Sequence, residues 1–215
     1  METGKYPVVD KHCIGGIPGN RTTLIIVPII AAAGYCMPKT SSRSITSPAG
    51  TADTMEVLAN VSFPISEMKK IILKTNACIV WGGALNLAPA DEKIIAVERP
   101  LEIDAESQLL ASIMAKKHSV SSTHILIDIP AGKDAKVKNK GGALRLKKEF
   151  ENLGKKLKKH IKVMITDGNQ PIGNGIGPIL EAIDVLKVLK NENGPKDLRE
   201  KSICFAGALL EHCGK

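Results

Sequence analysis

The sequence predicts an α/β fold, a mixed sheet with helices on its flanks. Short apolar runs alternate with longer segments of helical periodicity. One such run, VVD, leads through a glycine-rich loop into a helix. With 43% apolar and 24% charged residues, 215 residues suffice for one good-sized globular domain.

In chain order, strands are expected at Tyr6–Val9, Cys78–Trp81, Ile94–Val97, His124–Ile129 and Lys162–Ile165. Helices are expected at Thr22–Gly34, Thr51–Leu58, Ser66–Lys74, Asp104–Lys117, Gly142–Lys159, Gly177–Lys190 and Asp197–His212. In the 142–159 helix, Leu146, Phe150, Leu153 and Leu157 make the buried stripe. Asn191 to Pro195 (NENGP) reads as a helix stop and turn.

No run reaches the roughly 20 apolar residues of a membrane span, and the longest, Leu24 to Gly34, contains Pro28. The opening METGKYPVVD lacks the basic and apolar regions of a secretory signal, so the expected compartment is the cytoplasm. The five cysteines include no C-x-x-C pair, which implies neither disulfides nor a structural metal. Cys78 is expected in the core. A net charge of +8 calls for an anionic partner. Aromatics are only 3% of residues, leaving few rings for base stacking, so a phosphorylated small molecule is favoured over nucleic acid. The lysines between Lys133 and Lys162 lie partly on an amphipathic helix and read as a solvated face.

Three segments carry candidate chemistry. The first is DKHCIGGIPGNRTT, where Gly15, Gly16 and Gly19 precede a helix opening at Thr22. Such a loop lets backbone N–H groups approach an anion at the positive end of the helix dipole. It lacks the lysine of a Walker loop and the G-x-G-x-x-G spacing, and a plain turn is the alternative. The second is the hydroxyl-rich run Thr40 to Ser47 around Arg43, able to bond a phosphate or sugar or to be simply a polar loop. Thr51 beyond it either contacts ligand or caps a helix. The third is a helical stripe of Asp104, Gln108, Ser112 and Lys116, four residues apart. Opposite it lie Leu109, Leu110, Ile113 and Met114, which are expected to need a partner outside this chain.

These segments resemble, in order, those of the thymidine phosphorylase family of nucleoside phosphorylases, on the branch that includes the AMP phosphorylases. KHCIGG is similar to the K-H-S-T-G-G signature, with Cys13 in place of its serine, and GGIPGNRTT resembles the AMP phosphorylases. The resemblance implies phosphate binding by Lys11 and Gly16, with His12 a candidate proton donor. It implies ligand contacts from Ser42, Arg43, Ser44, Ile45, Thr46, Ser47 and Thr51. It also implies Ser112 and Lys116 in the cleft (A-S-x-M-x-K-K), a ligand-binding Lys136, and Asp104 as the competing proton donor. As a helix N-cap, Asp104 would have a lowered pKa, the wrong direction for a general acid.

The implied fold is the nucleoside phosphorylase/phosphoribosyltransferase catalytic domain. Residues 1–88 and 119–215 would form an incomplete α/β phosphate-binding domain, and 89–118 part of a small helical lobe. Family members are longer, so the chain is expected to be a fragment or a truncated product. The implied activity is pentosyl transfer, the reversible phosphorolysis of a pyrimidine nucleoside such as thymidine. Inorganic phosphate is the co-substrate, with no cofactor or metal. AMP phosphorylase, phosphoribosyltransferase and a non-catalytic nucleotide-binding fragment are the alternatives. The expected partners are a nucleoside or nucleotide and phosphate, in a homo-oligomer with no nucleic acid and no membrane.

Overall fold

The computed structural model describes residues 6–14, 16–44, 47–85, 89–101, 105–133 and 135–215. The chain runs β1 (Val9–Cys13), α1 (Thr22–Ala32), β2 (Met37–Ser41), α2 (Thr51–Glu56), α3 (Ile65–Thr75), β3 (Ala77–Trp81), α4 (Gly82–Leu85), α5 (Pro89–Leu101), α6 (Glu106–Ser119), β4 (His124–Ala131), α7 (Lys140–Lys156), β5 (His160–Asp167), α8 (Pro178–Leu189) and α9 (Lys196–His212). Strands β1, β4 and β5 form one sheet and β2 with β3 another. A parallel bridge between Val8 and Cys36 joins them, with Val9 N–H donating to Cys36 O at 2.7 Å. Every ladder among the described residues is parallel, so the antiparallel part of a mixed sheet is not among them. All five strands therefore end at the same edge, and the loops that follow gather there, where open α/β sheets place their ligands.

Strand β4 is buried on both faces, which is why its sequence is apolar from Ile125 to Ala131 except for the buried Asp128. Ile125, Ile127 and Ile129 face Ile113 and Met114 of α6 and Leu146 and Phe150 of α7. Leu126 faces the opposite layer, with Ile26 and Ile30 of α1 and Phe205 and Leu209 of α9. Leu109 and Leu110 also pack against the first cluster. The expectation that this face of α6 needs a partner outside the chain is thus overturned: the sheet itself covers it.

Four further differences have physical causes. Strand β1 runs on from Val9 to Cys13, beyond the expected Tyr6–Val9, because the polar Asp10 and Lys11 are buried with partners. Ile94–Val97, expected as a strand, lies within α5; its β-branched residues belong to a helix whose Asp91 is tied to Lys116 of α6 at 2.7 Å. Strand β2 (MPKTS) has no apolar alternation, yet all five residues are buried: the Lys39 and Ser41 side chains find partners inside, while the buried Thr40 hydroxyl has none among the described residues. Helix α8 inverts the usual pattern. Ile179, Leu180 and Ile183 face outward at 64%, 52% and 42% exposure, while Glu181 and Asp184 are buried. Those carboxylates meet the buried Arg21, whose Nη1 lies 2.6 Å from Asp184 Oδ2 and whose Nη2 lies 3.4 Å from Glu181 Oε1. Asp184 also accepts the N–H groups of Asn174 and Gly175. Burial, the largest influence, raises the Glu181 pKa despite its cationic neighbour. The elements otherwise follow expectation: Cys78 is core, its thiol pushed up to about 12 by burial, and the turn after α8 has Asn191 at φ 57°.

Arg21 holds the start of α1 against α8 from the N-cap position, in left-handed backbone (φ 58°) that costs a non-glycine residue about 1–2 kcal/mol. Removing its charge strands two buried carboxylates. Arg21→Met should therefore destabilise the chain by roughly 3–5 kcal/mol in urea unfolding. A loss within measurement error would show that the pair does not anchor the helix.

Candidate active site

The glycine loop folds because one close approach and one left-handed turn require it. A Cβ on Gly19 would lie 2.0 Å from Cys13 Sγ, so only glycine lets the loop settle on the end of β1. Gly16, at φ 58°, turns the chain so that its carbonyl accepts from the N–H groups of Gly19 and Asn20 at 3.0 and 2.9 Å. Asn20 then reaches across to the next loop, its Nδ2 donating to Ala49 O at 2.9 Å. Lys11 is fully buried, and its ammonium donates to Thr22 Oγ1 at 2.7 Å, while that hydroxyl donates to Gly19 O. Lys11 thus supports the loop from the floor of the cleft. Gly15 lies outside the described residues.

The hydroxyl loop is clamped by Asp53 from the first turn of α2. Its Oδ2 accepts the N–H of Ser44 at 2.8 Å and of Gly50 at 2.9 Å, and its Oδ1 lies 3.1 Å from Arg43 Nη1. Burial pushes the Asp53 pKa up, but these donors together hold it below the usual carboxylate range. Gly50 is the N-cap of α2, so Thr51 is its first residue and is not the cap. Arg43 also makes two bonds to Glu56, at 2.6 and 2.8 Å, and stacks over Trp81 at 4.7 Å. Ile45 and Thr46 lie outside the described residues.

The helical stripe forms as spaced. Lys116 Nζ donates to Ser112 Oγ at 2.5 Å and to Asp91 Oδ2 at 2.7 Å, and Gln108 Nε2 reaches Asp91 Oδ1 at 3.5 Å. Asp91, absent from the sequence expectation, is the carboxylate that orients the stripe. Ala105 occupies the N-cap position of α6, and Asp104 lies outside the described residues.

One cleft brings together Lys11, His12, Gly16, Ser42, Arg43, Ser44, Ser47, Thr51, Ser112, Lys116 and Lys136. These are all the sequence-derived site residues within the described part of the chain. Asn20, Thr23, Lys39 and Ile95 are among the further lining residues and were not singled out in the sequence, and Leu109 and Ile113 of the apolar face of α6 line it too. The described lining is lysine, arginine, hydroxyl and glycine with an apolar wall, and it contains no carboxylate. Among the described residues no group of three or more His, Cys, Asp or Glu could hold a metal.

The electrostatics favour an anion. His12 has its pKa pushed well below 6.5, first by burial and then by Lys117, Lys39, Lys116 and Lys11 around it. Burial also lowers Lys11, and lowers Lys39 far from the ordinary lysine value, with Lys117 as its main like-charged neighbour. Beneath them Asp10 is fully buried, 2.8 Å from Lys117 Nζ and 3.8 Å from Lys39 Nζ. Two buried carboxylates, Asp10 and Asp128, thus stand among Lys11, Lys39, Lys117 and Lys201, so the ammonium groups outnumber them, a balance that a bound dianion would correct.

A parallel α/β domain with a cationic, hydroxyl-lined cleft at its strand ends is suited to an anionic ligand. Residues 5–210 match the family described as "Glycosyl transferase family, a/b domain", and the chain belongs to that family. It is 59% identical over 206 residues to a Bradyrhizobium diazoefficiens protein named "Putative thymidine phosphorylase", a match taking in 95% of this chain and 40% of that protein. A like-named protein of Acidovorax sp. is 53% identical over 212 residues, 98% of this chain and 42% of its own length. The chain thus spans about 40% of the length of the curated relatives it matches. The anthranilate phosphoribosyltransferase of Thermus thermophilus shares the fold, with TM-score 0.73 at 16% identity, over 98% of this chain and 69% of that one. No helix among the described residues is long and apolar enough to cross a membrane.

The depressed His12 has a measurable consequence. Below pH 6.5 the unfolded chain binds a proton at this position that the folded chain refuses, so His12 lowers stability as pH falls through that range and not above it. Its C2 proton should titrate below 6.5 by NMR and move upward when phosphate is added, because an anion offsets the lysines. A His12 pKa at or above 6.5 in the ligand-free protein would contradict the cationic cleft.

Proposed function

We propose that this chain is the phosphate- and sugar-binding core of a pentosyltransferase that carries out reversible phosphorolysis of a pyrimidine nucleoside such as thymidine. The observation that carries the reading is the convergence of the glycine loop, the hydroxyl loop and Lys116 on one cleft with unbalanced positive charge. The names of the relatives supply the substrate class. A phosphate oxygen attacks the anomeric carbon, and the bond from that carbon to the base nitrogen breaks. The electron pair leaves with the base and is met by a proton. Lys116 and the hydroxyls Ser42, Ser44, Ser47, Thr51 and Ser112 are suited to orient phosphate and sugar. Arg43 and Lys136 stand at the same cleft, and positioning with fixed charge supplies most of the rate.

In this reading Asp104 protonates the leaving base. A neutral imidazole is a poor acid, and the lowered pKa of His12 supports giving the role to the carboxyl group. Phosphate is the co-substrate and no cofactor takes part. The small helical lobe would include α5 and α6, tied by Asp91 and Lys116. The protein works in the cytoplasm as a homo-oligomer, an association that the apolar outer face of α8 favours.

The test is base release in the protein at the natural length of its relatives, with thymidine, uridine, AMP and CMP, with and without phosphate. Thymidine should give phosphate-dependent thymine release without added Mg²⁺. Preference for AMP would move the protein to the AMP phosphorylases, Mg²⁺-dependent use of pyrophosphate would make it a phosphoribosyltransferase, and binding without turnover would leave a nucleotide-binding protein. In the active protein, Asp104→Asn should lower kcat by about 10²–10⁴ fold while His12→Gln costs far less. The opposite ranking would transfer the proton to His12.

A further inference from the structure

We propose that Lys39 is a direct phosphate-binding residue of the cleft, and that it takes up a proton from solvent as the anion binds. The inference rests on the cleft being a phosphate site, as above, and gives a role to a residue to which the family resemblance assigned none.

Lys39 sits near the end of β2, in the stretch Pro38–Lys39–Thr40 just before the hydroxyl loop. It is 3% exposed, a burial that lysine adopts only with a counter-charge at hand. The groups around it are Asp10, Lys11 and His12 from β1, Lys117 from α6, and the Cys78 thiol from β3. Asp10 is the only carboxylate among these described groups, and Lys117 holds it. Lys117 Nζ lies 2.8 Å from Asp10 Oδ2, with Ser122 Oγ donating to the same oxygen at 3.2 Å. Lys39 is left at 3.8 Å from Oδ1 and turns its ammonium to Thr40 O at 2.6 Å. The decisive difference is access: Lys39 lines the cleft, and Lys117 is not part of the lining. Lys117 is therefore the internal partner of Asp10, and the charge that matches Lys39 must come from the cleft.

The empty site consequently disfavours charge on Lys39, through burial first and Lys117 second. An oxyanion beside it reverses the balance. The amine takes one proton from the buffer, becomes an ammonium and donates to the anion, and no other bond changes. Anion affinity is then linked to pH and weakens as rising pH makes that proton harder to acquire. Lys116 is already bonded to Asp91 and Ser112.

Calorimetry on the wild-type protein tests this directly. Sulfate, which carries no proton between pH 7 and 9, and phosphate are titrated in buffers of different ionisation enthalpy. The slope of observed heat against buffer enthalpy counts protons taken up per anion. Wild type should show uptake of up to one proton at pH 8.5, where His12 is neutral with or without anion. His12→Gln should keep that uptake. Lys39→Met should lose it and bind phosphate at least tenfold more weakly, and Lys39→Arg, with its permanent charge, should bind without uptake. Absence of uptake in wild type overturns the proposal even if every variant misfolds. So does a folded Lys39→Met with wild-type phosphate affinity. Wild type that binds neither anion refutes the phosphate reading of the cleft itself, an outcome distinct from binding without uptake.

Discussion

The ion pair between Asp10 and Lys117 is the interaction on which the site depends. Both side chains are fully buried, and the pair joins the first strand of the sheet to helix α6. Isolated charges at such a depth are costly, so neither partner is tolerable without the other. By occupying Asp10, the pair leaves Lys39 at 3.8 Å from that carboxylate and adds to the positive charge of the cleft. It also fixes the face of α6 that carries Ser112 and Lys116 at the right height above the strand ends. Fold and electrostatics are thus set by the same contact.

Around it, the two ligand-side loops are shaped by glycines and by acids that never face the ligand. Gly19 lets the first loop descend onto Cys13, and Gly50 lets the second close on itself: a Cβ there would lie 2.6 Å from Ser42 O. Asp53 gathers the second loop with two backbone bonds, and Glu181 and Asp184 hold Arg21 under the first. Glu181 also accepts from Thr54 at 3.2 Å and from Asn20 at 3.4 Å, so one buried carboxylate touches both loop supports. The charged residues divide by role: cations line the cleft and carboxylates stand behind it. That arrangement preorganises an anion site before any ligand arrives.

Most of the scaffold was legible in the sequence. Strands β3, β4 and β5 and six of the helices follow from apolar spacing, because burial of one face or both imposes that spacing; α8 was legible as a helix although its apolar side is turned outward. The glycine loop, the hydroxyl run and the stripe of Ser112 and Lys116 were legible as chemistry, and the motif order pointed to the family. Strand β2 was hidden because Lys39, Thr40 and Ser41 are buried polar residues, which erases the alternation a pattern search needs. Ile94–Val97 misled for the converse reason: β-branched residues sit in a helix whose neighbours decide its state.

What the sequence determined by itself was the set of local structures and the types of functional group, since propensity, periodicity and loop chemistry act over a few residues. The tertiary structure alone decided the pairings. It placed Lys117 and not Lys39 on Asp10, turned the acids of α8 inward to Arg21, and covered the apolar face of α6 with the sheet. These choices join residues far apart in the chain, 107 positions for Asp10 and Lys117 and 163 for Arg21 and Asp184. They turn on which buried charge finds a partner at which distance, and no local pattern encodes that.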